Sequence, residues 1–338
     1  MKAILRTALA LITAFSVISL ARADDTIVIK FSHVAAKDTP KGRAADKFKE
    51  LAEARTHGKV KVEVYPNSSL YKDKEEMEAL QLGAVQMLAP AVSKFGPLGV
   101  KEYEVFDLPF MFDDEQGLHK VLDGKIGKGL FSKLDPKGIT GLAYWPAGFR
   151  HISANKPIRK PDDAKGLKFR IPGGEVLKVQ TAAMGAIPQI LAFSEVYQAL
   201  QTGVVDGTEA TPNNFYTQKM FEVQKYFTLT GHTPLVYAAV VNKKFWDGLP
   251  ADIRTELEGA MKDATAYAND IARKDNQDSL DSVKQSGKTE VLTLSPAEKA
   301  AWKKTMLKVH NDPAIEKRVG KETIQAVYKE TGFDPNKL

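Results

Sequence analysis

Arg150, Arg170 and Lys94 are the side chains of this sequence best suited to holding a small anion, and each stands beside a turn. Arg170 lies in Gly166 to Gly174, GLKFRIPGG, a strand-like run between a turn glycine and a Pro-Gly-Gly turn that leads into a helix. A guanidinium carries five donors in a fixed fork and keeps its charge at any physiological pH, so a held arginine can grip a carboxylate or phosphate. An ordinary ion pair near the surface is the plainer reading. Arg150 follows Pro146-Ala147-Gly148 in GFRHIS, where it either converges with Arg170 on one anion or closes a hinge salt bridge. Lys94 in SKFGP and His33 in FSHV fall in loops after strands, the edge at which open α/β sheets bind ligands. A loop lysine is as readily solvated, and His33 reads first as a structural hydrogen bonder. The polar stretch TEATPNNFYTQ supplies Asn213, Asn214 and Tyr216, although an asparagine there can simply cap the next helix. Tyr237, within the apolar run Leu235 to Val241, completes a candidate substrate-binding set of Arg170, Arg150, Lys94, Asn214, His33 and Tyr237.

Bond-breaking chemistry finds no support. The sequence has no Gly-x-Ser-x-Gly elbow, phosphate loop or dinucleotide fingerprint, and GKIGKG at Gly124 to Gly129 lacks the phosphate-binding order. The six histidines show no metal-ligand spacing, and zero cysteines exclude thiol catalysis and Cys-ligated metals. Asp113-Asp114 and Asp162-Asp163 fall at expected helix starts, where carboxylates favour the helix dipole without any catalytic reason. No catalytic residue, cofactor or metal is expected, and the chain reads as a binder instead of an enzyme.

The elements that must position these groups are α/β. The first residues, MKAILRTALALITAFSVISLARA, place Lys2 and Arg6 before an apolar run that ends in Ala-Arg-Ala, the layout of a secretory signal over residues 1–23. Its loss removes Lys2, Arg6 and Arg22 from 48 basic residues and nothing from 42 acidic ones, leaving an excess of three. So weak an excess does not describe a nucleic-acid binder. About 315 remaining residues exceed one typical core and predict two lobes. Thr26 to Ser32 and Val60 to Tyr65 alternate as strands around a helix capped by Thr39-Pro40, which makes a βαβ unit. Further strands are expected at Val85 to Ala89, Ile139 to Trp145, Tyr226 to Thr230, Leu235 to Val241 and Thr289 to Leu294, with helices from Lys74, Glu175 and Glu195, the last capped by Ser194. Pro250 opens a helix to about Gln285, on the order of 50 Å long, which should brace both lobes. Ser295-Pro296-Ala297-Glu298 is a capping box that starts the last helical region.

The runs SLYKDKEEMEALQLGAVQMLAP, SKFGPLGVKEYEVFDLPFMF, GFRHISANKPI, GLKFRIP and AFSEVYQALQTGVVDGTEATPNN resemble the extracytoplasmic solute receptors of tripartite ATP-independent periplasmic (TRAP) transporters, and most of all the branch that binds C4-dicarboxylates such as malate, succinate and fumarate. The resemblance implies a class II-like periplasmic binding fold: residues 24–147 plus about 235–275 as lobe I, 148–234 plus about 276–338 as lobe II, and a long helix across both. It implies a periplasmic monomer that closes on an organic acid anion and presents it to the TRAP membrane permease. Arg170 would pair with the substrate carboxylate, Arg150 would be a second arginine at the cleft, and Lys94 and His33 would lie in ligand-side loops. Three departures, Ala210 for a common asparagine, Gly173-Gly174 for a common pair of serines and Gly231 for a frequent asparagine, leave a monocarboxylate or sugar acid as the alternative ligand.

Overall fold

Two antiparallel strands that cross the whole protein organise the fold. The computed structural model describes residues 26–337, so the signal-peptide expectation at residues 1–23 lies outside the described residues. The chain opens with β1 (Ile27–Ser32), α1 (Pro40–Arg55) and β2 (Val60–Tyr65), and β1 pairs with β2 in parallel. Thr39 caps α1 by accepting from the Gly42 N–H, with Pro40 in the first turn, where its missing donor costs nothing. After α2 (Glu76–Gln81) comes β3, only Met87–Leu88, which docks parallel to β1 and antiparallel to the far end of β8. Lys94 sits in a short 3-10 helix, Val92–Phe95, where an irregular loop was expected.

Helices α3 (Glu115–Asp123), capped by Asp114, and α4 (Lys125–Ser132) precede β4 (Ile139–Ala154). The expected strand end at Trp145 is absent, because the chain passes Pro146 to Phe149 through a register shift and continues. Then come β5 (Lys168–Ile171), α5 (Glu175–Ala183), β6 (Ile187–Ile190), α6 (Val196–Gln201), β7 (Gly207–Ala210) and α7 (Pro212–Thr217). Ser194 makes no capping bond; the turn is closed by Glu195, whose carboxylate accepts from the Ala192 N–H. Thr211, not Asn213 or Asn214, caps α7.

β8 (Tyr226–Asn242) is likewise one strand where two were expected. Short α8 (Lys243–Asp247) leads to α9 (Ala251–Ser286), β9 (Glu290–Leu292), and helices α10 (Pro296–His310), α11 (Pro313–Val319) and α12 (Lys321–Thr331). The sheet order is β2-β1-β3-β8-β4-β7-β5-β6, with β9 beside β8. β3 pairs with one end of β8, while β7 pairs with His151 to Ala154 at the far end of β4, so β4 and β8 carry one sheet through two lobes. At about 3.3 Å per residue each spans roughly 50 Å, and 36 helical residues of α9 at 1.5 Å span the same length. α9 buries Ile253, Leu257, Ala260, Met261, Ala264 and Ala268 with β1, β2 and α1, and Val283 with Phe215 and Phe227 in a separate cluster. Among the described residues, no helix is long and apolar enough to cross a membrane.

Candidate functional site

The turns after β1, β3 and β5, the crossing parts of β4 and β8, and the start of α7 enclose one cavity. Its lining includes Asp73, Glu76, Lys94, Arg150, Arg170, Phe193, Glu209, Ala210, Asn214, Leu235 and Tyr237. The space open to the centre of a water-sized sphere is about 50 Å3. Roughly 10–15 Å3 of such space holds one water, so the cavity has the capacity of about four.

Arg170 is the next-to-last residue of β5 and is 4 % exposed, so its guanidinium is buried. Its Nε and Nη2 donate to the Leu191 carbonyl at 3.1 and 3.0 Å, and Nη2 lies 3.6 Å from Asp73 Oδ2. The side edge of the fork is therefore occupied by backbone, and the Nη1/Nη2 end remains for a ligand. Arg150 is also buried. Its Nη1 donates to Asp107 Oδ1 at 2.9 Å, its Nε lies 3.6 Å from Glu209 Oε1, and its Nη2 is sealed from solvent without a partner. Arg150 is ion-paired to Asp107 and lines the same cavity as Arg170. A buried donor left unpaired costs about 1–3 kcal/mol, which an acceptor entering the cavity would recover.

Lys94 is held by Pro172, whose carbonyl accepts from Nζ at 2.7 Å, and by Asp73 at 3.4 Å. Asn214 Nδ2 donates to the Tyr237 hydroxyl at 2.9 Å, so that hydroxyl keeps its own proton for an acceptor in the cavity. Burial pushes the Tyr237 phenol up to about 12, which keeps that proton in place. His33 is fully buried and does not line the cavity; burial, with the charge of Lys41, pulls its imidazole down to about 3. Of the three sequence departures only Ala210 faces the cavity. Gly173 and Gly174 line a neighbouring groove with φ of 127° and 93°, where a serine would be strained, and Gly231 lies on another groove beside His151.

Acidic residues were missed by the sequence reading, because an anion site advertises its cations. Asp73 accepts from the Phe193 N–H at 3.1 Å and spans Lys94 and Arg170. Burial works against its charge, yet Lys94, Arg170 and that N–H outweigh it and hold the carboxyl below its ordinary value. Glu209 is likewise held low against burial, by Arg150, His232 and Arg170. Glu76 goes the other way, up to about 8, by burial and then by Asp73. The lining cations Lys94, Arg150 and Arg170 thus face two ionised carboxylates, Asp73 and Glu209, at neutral pH. Lys41, behind Tyr237 with Nζ 3.6 Å from the ring centroid, adds a further buried positive charge. The positive excess, reduced to the extent that buried Asp107 ionises around its raised value of about 7, calls for an anion.

The cleft is drawn together by Asp73 to the Phe193 N–H, Lys94 to the Pro172 carbonyl and Lys72 to Glu195. Glu104 adds a tie by accepting from the N–H groups of Glu175 and Val176 at the start of α5, where a carboxylate also meets the positive helix end.

Comparison with known proteins identifies relatives of this chain. Residues 31–317 match the family described as bacterial extracellular solute-binding protein, family 7. A curated relative, the C4-dicarboxylate-binding periplasmic protein DctP of Rhodobacter capsulatus, is 60% identical over 320 residues, covering 95% of each chain. A TRAP periplasmic solute-binding protein of Shewanella oneidensis with bound succinate superposes with a TM-score of 0.87 at 42% identity, covering 90% of this chain and 99% of that one. A counterpart from Pseudomonas aeruginosa with bound L-malate gives 0.82 at 44% identity, covering 84% and 99%. The chain belongs to family 7 of the bacterial extracellular solute-binding proteins, the two-lobed solute receptors of TRAP transporters.

Proposed function

We propose that this receptor captures a C4-dicarboxylate of the succinate, malate and fumarate class and passes it, unaltered, to a TRAP permease in the membrane. The observation that carries the reading is a four-water cavity with a positive excess, into which two buried arginines bring unused donors. One carboxylate meets the Nη1/Nη2 end of Arg170 and Nη2 of Arg150, with Tyr237 and Asn214 beside it. The second carboxylate lies toward Lys94. Two charge-assisted bonds to one carboxylate contribute roughly 1.5–3 kcal/mol each and fix its orientation. The small volume favours four carbons over a sugar acid. The working unit in this reading is a monomer in the periplasm, a location that the secretory layout of residues 1–23 supports.

Titration calorimetry against succinate, malate, fumarate, short monocarboxylates and hexuronates tests this. A C4 diacid should bind tightest, and at a hundredfold over its dissociation constant should add about 2.7 kcal/mol of stability in a thermal melt. Tighter binding of a monocarboxylate or hexuronate, or turnover of any acid, would overturn the assignment.

A further inference from the structure

Glu76 is a buried carboxyl that nothing among the described residues satisfies. It opens α2, is 1 % exposed and lines the cavity. Among the described residues its carboxyl makes no hydrogen bond and no ion pair, and Oε2 is sealed from solvent without a partner. The charged groups that face it are Asp73 in the turn before α2, Lys41 from α1 and Lys94 from the 3-10 helix. Both lysines are engaged elsewhere: Lys41 Nζ donates to the Ala89 carbonyl at 3.1 Å, and Lys94 Nζ to Pro172. Asp73 repels a second negative charge. An ionised carboxylate without donors in such a place costs several kcal/mol, so the group keeps its proton, consistent with the raised value given above. A protonated carboxyl is a different object, with one O–H to donate.

The two ends of the cavity are electrically distinct. Arg150 answers to Glu209, Asp107 and Tyr237, whereas Glu76 answers to Asp73, Lys41 and Lys94, and Arg170 feels groups from both sets. We infer that Glu76 is a specificity-determining residue that donates its proton in a hydrogen bond to the second carboxylate of the bound diacid, at the end remote from Arg150. The inference deepens the dicarboxylate reading and rests on it. An O–H···O− bond between an acid and a carboxylate is among the strong hydrogen bonds, and a monocarboxylate has no second acceptor to make it. Binding is consequently linked to protonation. Once Glu76 ionises, the donor is lost and a negative charge faces the ligand, so apparent affinity follows the protonated fraction.

Calorimetry of succinate on the whole protein between about pH 6.5 and 9.5, with the parent and Glu76→Gln, tests the linkage, because an amide still donates but cannot titrate. The parent should lose about tenfold in affinity per pH unit above the Glu76 midpoint and should take up a fraction of a proton on binding near that midpoint, read from buffers of different ionisation heat. Glu76→Gln should stay within about fivefold of the parent at neutral pH, lose the slope and lose the proton uptake. Parent affinity that stays flat to pH ~9, or absent proton uptake, overturns the inference without recourse to the variant. A slope that survives in Glu76→Gln also overturns it, because the titrating group is then another one, such as Asp107 beside Arg150. Failure of the parent to bind any C4 diacid near pH ~6.5 is a separate outcome and strikes the receptor reading itself.

Discussion

Arg170 carries more of the receptor's geometry than a single ligand contact would, since its guanidinium is shared between the Leu191 carbonyl, Asp73 and the cavity. Lysine at this position keeps the charge that Asp73 requires but cannot serve a carbonyl and a carboxylate with a planar fork. Arg170→Lys should therefore fold and retain its melting behaviour, while affinity for the diacid falls by roughly 3 kcal/mol, about 150-fold, in a calorimetric titration. Undiminished affinity would remove Arg170 from the clamp. That Arg150, Arg170 and Lys94 line one cavity was legible in the sequence from their places beside turns, Lys94 in a loop after a strand where open α/β sheets bind ligands. The acidic half was not: Asp73 and Glu209 carry the sign of the ligand while Glu76 keeps its proton, and only their burial among Arg170, Arg150, Lys94 and Lys41 sets them apart.

At the scale of elements, the connection between lobes is a crossing of β4, α7 and α9 held by Asn276. Its Nδ2 donates to the Ala147 carbonyl at 2.9 Å, and its Oδ1 accepts from the Asn213 N–H at 3.1 Å. Gly148, at φ 92°, makes room for this, because a Cβ there would sit 2.6 Å from Asn276 Nδ2. Gly148→Ala should cost about 1–3 kcal/mol in chemical denaturation, part of it backbone strain and part displacement of Asn276. Made in an Asn276→Ala background, the same substitution should cost less, since the steric part is gone; strictly additive costs would show that the two residues are uncoupled. Helix α9 was legible because its apolar spacing persists from Ile253 to Ile271 without a Gly or Pro break before Gly287, apart from Gly259, and the α1 cap because Thr-Pro is unambiguous. The lengths of β4 and β8 were not. Pro146, Gly148, Gly231 and Pro234 are local breakers, and the long strands survive them by shifting register between Pro146 and Phe149 and again between Arg150 and Ile152, a tertiary solution with no sequence signature.

For the whole molecule, the two lobes followed from length, the βαβ start and the long helix, whereas one sheet running through both did not, because pairing across the molecule is invisible to local pattern. That architecture buries titratable groups, and their balance sets the dependence of stability on pH. His33 and His151 are pulled down to about 3 and His310 to about 4, in each case chiefly by burial. Unfolded histidine takes a proton near pH ~6.5, so their contribution is fully present above that value and is lost as pH falls toward the folded values, about 1.4 kcal/mol per unit for each. Glu76, raised to about 8, and Asp107, raised to about 7 by burial, act in the opposite sense. They hold protons that the unfolded chain has released, so the stability they give is present at low pH and is lost as pH rises through those values. Between pH ~6.5 and ~4.5 three histidines oppose two carboxyls, and the net loss on acidification is on the order of 1.4 kcal/mol per unit. Below about pH 4 the unfolded carboxyls are protonated too and the offset disappears, but His310 then takes its proton in the folded protein as well; the loss steepens because Asp73 and Glu209, held low in the fold, must also be protonated. Above pH ~6.5 the histidine contributions are spent and the two carboxyls make stability fall with rising pH. Denaturant midpoints of the unliganded protein should therefore peak near pH ~6.5, decline gently to pH ~4.5 and drop sharply beneath it. A midpoint that is level from pH ~8 to ~4 would mean that these five groups exchange protons as freely in the folded protein as in the unfolded chain, and the buried charge pattern assigned to the cleft would not stand.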